Sequence, residues 1–235
     1  MDIFKRAAWK ILIFGTSLVL FQQMSYALPS PVNTTLGPIV GGSDRNSNFY
    51  LGIPYGKPPL GELRFSAPLT PDPWDGALQT TELKPNCAQP DVKANLKEGT
   101  SEDCLYLNVY TPRYPVPENR PVVVWFHGGG LRNGGASSID ASQYVNRGII
   151  AVSVNYRLGY LGFYALEPFS KRSLTGTSGN YGIMDQQLAL RWVQDNIQYF
   201  GGDPDNVTIA GQSAGALSVQ THLASPTSHC LCSAF

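Results

Sequence analysis

Val207-Thr208-Ile209-Ala210-Gly211-Gln212-Ser213-Ala214-Gly215-Ala216-Leu217 passes from a β-favouring run to a helix-favouring one through a serine near the centre of a glycine-flanked turn. Val207 to Ala210 reads as a short buried strand, and Ala214 to Ala224 as a helix carrying Leu217, Val219 and Leu223 with no breaker inside. Such elements join only by a sharp reversal, at Gly211-Gln212-Ser213-Ala214-Gly215, a Gly-x-Ser-x-Gly motif in strand-turn-helix context. With 24 glycines in the chain a bare match would be weak, so the context carries the weight. Glycines on both sides of Ser213 let the backbone crowd without side-chain clashes, and the hydroxyl then projects from the turn. The helix N-terminus behind it offers free N–H groups and positive dipole character to a developing oxyanion.

Upstream, Val122 to Phe126 is a continuous β-favouring run ending at His127-Gly128-Gly129-Gly130, where glycines allow backbone N–H groups to approach a tetrahedral intermediate. Ile149 to Val154 repeats the strand pattern, and the segment between the two is long enough for a crossover, which predicts a parallel pair. Leu105 to Tyr110 reads as a further strand. Asp185 to Phe200 reads as a helix with Met184, Leu188, Trp192, Val193 and Ile197 on one face, stopped by Gly201-Gly202-Asp203-Pro204. Alternating strands and helices predict an α/β fold, a mainly parallel central sheet with helices on both faces. Residues 28–65 form a turn-rich entry with Pro54, Pro58 and Pro59.

At 235 residues a single domain is the default. Lys+Arg and Asp+Glu number 17 each, so no basic field exists to attract a phosphate backbone and nucleic acid is not an expected partner. Residues 1–27 read as a signal peptide: Lys5, Arg6 and Lys10 precede the apolar run Ile11 to Phe21, and Ser25-Tyr26-Ala27 supplies small residues for cleavage after Ala27. That run is too short for a transmembrane anchor, which takes roughly 20 residues. A secreted, extracellular protein is therefore expected. Asn33, in the sequon Asn33-Thr34-Thr35, is the expected glycosylation site. The four cysteines of an exported chain point to disulfides. Cys87 and Cys104 enclose the 16 residues 88–103, and closing a loop of that size would contribute roughly 3 kcal/mol. Cys230 and Cys232 lie too close in sequence for a comfortable ring and stay unassigned.

These motifs resemble the type-B carboxylesterases, the α/β-hydrolase family that includes cholinesterases and fungal lipases. The likeness runs through Phe49-Tyr50-Leu51-Gly52-Ile53-Pro54-Tyr55, Pro58-Pro59-Leu60-Gly61-Glu62-Leu63-Arg64-Phe65, Glu102-Asp103-Cys104-Leu105-Tyr106-Leu107-Asn108-Val109, Asn180-Tyr181-Gly182-Ile183-Met184-Asp185-Gln186 and Phe200-Gly201-Gly202-Asp203-Pro204. It implies residues 28–235 as the N-terminal part of such a domain, Ser213 as the acylated nucleophile, and the N–H groups of Gly129, Gly130 and Ala214 as an oxyanion hole. It further implies a Cys87–Cys104 disulfide, a structural ion pair between Arg64 and Glu102, no metal and no organic cofactor. The implied partner is a small-molecule or lipid ester. Gln212 stands where many members carry Glu. Cholinesterases hold a Trp in the first disulfide loop for choline's ammonium, and residues 88–103 contain no aromatic side chain, so choline esters are disfavoured. That loop is also shorter than the lid region of fungal lipases, which favours a general carboxylesterase.

A serine hydroxyl needs a base, and in α/β-hydrolases the order is Ser, acid, His. Only 22 residues follow Ser213, and the histidines are His127, His222 and His229. His222 lies on the same helix, about 13 Å from Ser213 at 1.5 Å per residue. His127 precedes the oxyanion glycines and is expected to shape their loop, and His229 belongs to a tail unlike the family's pattern. The chain thus reads as truncated after the nucleophile elbow, lacking the acid and His, inactive alone, and exposing apolar sheet surface that favours aggregation. Ester hydrolysis by acyl transfer is the leading function; a catalytically inactive binding or adhesion relative, or a nonfunctional truncated product, are the alternatives.

Overall fold

A computed structural model describes residues 31–90, 97, 99–113, 118–228 and 231–232. The expected leader, His229 and Cys230 lie outside the described residues.

Six strands form the main sheet: β1 (Gly42–Ser43), β2 (Ser47–Pro54), β3 (Tyr106–Pro112), β4 (Arg120–Phe126), β5 (Ile150–Val154) and β6 (Gly202–Gly211). Their order is β6-β4-β5-β3-β2-β1. The two pairings among β4, β5 and β6 are parallel, whereas β3 runs antiparallel to β5 and to β2, and β2 antiparallel to β1. The sheet is thus mixed over the described residues, and the expected parallel character belongs to the half that carries the glycine motifs. Connection length explains two of the reversals. Residues 113–119 between β3 and β4, and 44–46 between β1 and β2, are too few for a crossover, so the chain must return in the opposite direction.

Strand alternation builds the core. Val122, Val124 and Phe126 of β4, Ile150, Val152 and Val154 of β5, and Val207 and Ile209 of β6 pair in register on one face and are all buried. Each such side chain contributes roughly 1.5–3 kcal/mol by leaving water. Helices α4 (Tyr181–Asn196) and α5 (Ala214–Ala224) cover that face, after the short helices α1 (Ser142–Val145), α2 (Gly159–Phe163) and α3 (Glu167–Arg172). The Phe126 ring of β4 lies 5.4 Å from the His222 ring of α5. The link from β4 to β5 carries α1, and the link from β5 to β6 carries α4 back across β4. Right-handed crossovers in opposite directions set α1 and α4 on opposite faces. Among the described residues no helix is long and apolar enough to cross a membrane.

Helix α4 departs from the sequence expectation in its start and in part of its face: Trp192, Val193 and Ile197 are buried as expected, Met184 and Leu188 less so. It begins a turn earlier, at Tyr181 after left-handed Asn180, and its last turn tightens to a 3-10 helix at Ile197–Phe200. The buried face holds Asp185, Gln186 and Asn196 beside Ala189, Leu190 and Val193, while Met184 and Leu188 are only half-buried. The face turned inward because its polar members have partners there. Asp185 accepts from Arg157 twice through the guanidinium, Nε at 2.8 Å and Nη2 at 2.7 Å, and once from the Arg157 backbone N–H at 2.9 Å. Both side chains are almost wholly buried, and Arg157 also lies over the Tyr181 ring at 5.3 Å.

Removing one member of such a pair strands a buried charge. Asp185→Ala should lower stability by about 3–5 kcal/mol, read as a shift of the urea unfolding midpoint; a loss below about 1 kcal/mol would show that the pair is not needed to hold α4 on the sheet.

Candidate active site

The site is built by strand register. Gly211, at the end of β6, pairs with Phe126, at the end of β4, so the loops that leave these two parallel strands emerge on the same edge. Gln212 and Ser213 continue from β6; His127 and Gly128 continue from β4. A side chain placed on Gly128 would stand 2.6 Å from the Gln212 carbonyl oxygen and 3.2 Å from Ser213 Cβ. The glycine-rich loop therefore lies directly against the serine turn, at the carboxyl ends of the strands where open α/β sheets hold ligands.

Two close approaches fix the turn. A side chain on Gly215 would collide with the Phe126 carbonyl oxygen, and one on Gly211 with the Gly215 backbone. Helix α5 thus crosses the end of β4 at a distance only glycine permits. Ser213 caps that helix with φ 55° and ψ −117°, a left-handed conformation that costs a non-glycine residue of order 1–3 kcal/mol. The conformation lifts the Ser213 side chain out of the turn, and the residue is exposed while Ala214 beneath it is buried. Beyond Gly128, Gly129 and Gly130 take φ 108° and 63°. Among the described residues no acceptor engages their N–H groups, whereas the Gly129 carbonyl accepts from Arg132 and Asn133 at 3.0 and 3.1 Å.

Supporting contacts come from residues that sequence reasoning passed over. The Tyr156 hydroxyl donates to the His127 carbonyl at 2.6 Å, and its ring stacks on the His127 imidazole at 4.4 Å. Gln89 grips Gly134 by both ends, its amide donating to the carbonyl at 2.8 Å and its oxygen accepting the N–H at 3.0 Å. Cys87, two residues before that glutamine, is joined to Cys104 as a disulfide. Arg64 and Glu102 form a two-point ion pair at 2.5 and 2.8 Å, partly exposed and away from Ser213's turn. Asn33 is exposed at the end of a short strand, and Cys232 is a buried free thiol whose pKa burial raises.

Neither described histidine has a hydrogen bond to Ser213. His222 is fully buried, with Nε2 2.9 Å from Gln186 Oε1 and Nδ1 3.0 Å from the Ser228 hydroxyl. Since Gln186 Oε1 can only accept, that network puts the proton on Nε2 and leaves Nδ1 to accept from Ser228. Gln186 also donates to Ser218, one turn before His222, so one α4 side chain clasps α5 at two points. His127 is buried, its Nδ1 against the Gly128 carbonyl at 2.8 Å and its Nε2 without a partner among the described residues. Burial pushes both imidazoles down to about 4. A sequence signal for the α4–α5 clasp existed in the polar pair Asp185-Gln186 inside an otherwise apolar helix; Gln89 and Tyr156 had none. Among the described residues no group of His, Cys, Asp and Glu could hold a metal ion.

Comparison with known proteins puts names beside this geometry. Residues 29–234 match the model of the carboxylesterase family. An acylcarnitine hydrolase of Mus musculus is 43% identical over 92% of this chain and 41% of its own length. A fumonisin B1 esterase of Sphingopyxis macrogoltabida is 38% identical over 94% and 41%. A solved PNB esterase superposes with a TM-score of 0.78 at 42% identity, covering 86% of this chain and 42% of that one. A Geobacillus stearothermophilus carboxylesterase gives 0.77 at 39% identity, covering 87% and 42%. The chain spans about two-fifths of the length of these relatives.

The glycine crossing and the buried histidines each give a measurable outcome. Gly215→Ala gains helix propensity but pushes α5 off β4, and should destabilise by about 1–3 kcal/mol in urea titration; a stabilised variant would mean that α5 can lift from β4 at no cost. The histidines give a pH dependence. Their folded values near 4 lie below the ordinary 6.5, so the unfolded chain binds protons first. Their contribution is complete above about pH 6.5 and is lost as pH falls toward 4, by about 1.4 kcal/mol per unit for each histidine. Unfolding midpoints between pH 7 and 5 should show this slope, and His222→Gln should flatten it; an unchanged slope in that variant would disprove the assignment.

Proposed function

Because the chain belongs to the carboxylesterase family and has its α/β-hydrolase fold, we propose that it carries the nucleophile and oxyanion hole of a carboxylic ester hydrolase, residues 28–235 forming the N-terminal part of the domain. The observation that carries this reading is the juxtaposition of left-handed Ser213 with the Gly128–Gly130 loop at the ends of paired strands. Ser213 Oγ attacks the ester carbonyl carbon while a base takes its proton. The oxyanion that forms accepts hydrogen bonds from the N–H groups of Gly129, Gly130 and Ala214. Collapse expels the alcohol, which takes the proton back, and water then releases the acyl group from Ser213. Substrates are small-molecule or lipid esters.

The base and its acid come from outside the described residues, a reading supported by the engaged or enclosed ring nitrogens of His127 and His222. On this account the 235-residue chain is inactive alone, the reading that the alternative of a noncatalytic relative shares. The Cys87–Cys104 disulfide and exposed Asn33 fit a secreted, glycosylated protein folded in an oxidising compartment.

Hydrolysis of p-nitrophenyl butyrate separates these readings, with the 235-residue chain compared with a form extended by downstream coding sequence. The extended form should turn over, and Ser213→Ala should reduce that rate by about 10³-fold or more. Turnover indifferent to Ser213→Ala would overturn the nucleophile. Ser213-dependent turnover by the 235-residue chain would instead overturn the statement about the base, and an inert extended form would favour the noncatalytic relative.

A further inference from the structure

Beside the glycine-rich loop opens a cleft of about 750 Å³, lined by Gln89, Arg132, Leu158, Tyr160, Phe163 and Tyr164 among others. This lies within the 300–1,000 Å³ range of small-molecule sites, which combine apolar walls with few, well-placed polar groups. Its walls are anchored to the elements that carry the proposed chemistry. Arg132 sits in the turn closed by the Gly129 carbonyl, two residues beyond Gly130. The Leu131 carbonyl of that turn accepts from Gly159 N–H at 2.7 Å, which ties it to the start of α2. Gln89, held on Gly134, fixes the opposite wall.

Two features of the lining suit a ligand. Tyr160 is 78% exposed and Tyr164 44%, their rings edge to face at 5.4 Å, an aromatic shelf open to solvent on a chain that buries Tyr50, Tyr55, Tyr156 and Tyr181. Arg132 supplies the only charge in the lining, is itself exposed, and has no carboxylate within ion-pair distance among the described residues. A guanidinium with no carboxylate partner among the described residues, in one cleft with two exposed tyrosines, suits a carboxylate on an apolar or aryl stem: the fork takes the two oxygens and the shelf takes the stem. A cationic ester would meet like charge there, and a purely alkyl one would leave the guanidinium unused.

We propose that this cleft is a specificity subsite for esters bearing a free carboxylate, with Arg132 binding the carboxylate and Tyr160 and Tyr164 the stem between it and the scissile carbonyl. The proposal rests on the ester-hydrolase reading for its catalytic meaning, but binding at the cleft does not involve Ser213. Equilibrium binding of 4-phenylbutyrate and its neutral analogue 4-phenylbutyramide, followed by ligand-observed NMR on the 235-residue chain, therefore tests it separately. The carboxylate should bind about tenfold more tightly than the amide, the discrimination of one charge-assisted contact. Arg132→Gln should erase that ratio, Arg132→Lys should keep part of it, and Tyr160→Ala should weaken both compounds alike. Ser213→Ala should change neither. Equal affinities in the wild-type chain, no binding of either compound, or a ratio that survives Arg132→Gln would each overturn the subsite while leaving the nucleophile untouched.

Discussion

The crossing of α5 over the end of β4, where Gly215 meets the Phe126 carbonyl, is the contact on which the rest of the site depends. Parallel register brings Gly211 beside Phe126, but register alone would leave the next residues of each strand free to diverge. The close crossing forces the chain to reverse within two residues. Ser213 takes the left-handed conformation as a consequence. Strain of this kind persists only where the surroundings over-determine it. Here they do so from two sides: the buried face of β4, β5 and β6 receives α5, and the loop after β4 packs against Gln212 and Ser213.

Beneath the turn lies a buried polar layer that an apolar core would not need. Gln186 clasps Ser218 and His222, and Asp185 holds Arg157 by three hydrogen bonds. Arg157 is three residues past β5, so this layer connects the central strand to α4 and, through Gln186, to α5. Apolar contacts resist sliding weakly because they are non-directional. Directional partners fix the rotation of α4 and with it the height at which α5 meets the sheet. Such networks contribute little net stability against well-packed apolar residues, and their use in fixing a unique arrangement accounts for their presence under a strained turn.

How much of this was legible in the sequence depended on the range of the interaction. The elbow was readable because its cause is local: a strand, a helix and glycines at fixed offsets leave one solution. The parallel pairing of β4 with β5 was readable from the length between them, and the same rule, applied to residues 113–119, would have foretold the antiparallel half. Helix α4 misled because periodicity scores Met184 and Leu188 as core and Asp185 as surface, whereas Asp185 faces inward to a partner 28 positions earlier. Gln89 and Tyr156 were invisible for the same reason. Each acts on the glycine-rich loop through a contact set by the fold, and neither residue type announces such a contact.

The same distinction separates what the proposed ester hydrolysis would draw from this stretch of chain from what it would not. On the proposed reading a nucleophile turn and an oxyanion loop require only that two adjacent parallel strands end together, a condition met within β4 to α5. On the proposed reading a base would reach Ser213 Oγ from the solvent side, because the layer below the turn is closed: His222 is locked between Gln186 and Ser228, and protonation there is opposed by burial. His127 is stacked under Tyr156 on the loop's buried side. Both positions suit neutral imidazoles that hold their neighbours in place, and an imidazole whose pKa burial lowers to about 4 would make a poor acceptor for a serine proton. The described histidines therefore hold their neighbours in place, and on the proposed reading the exposed side of Ser213 is where a base and a substrate would both arrive.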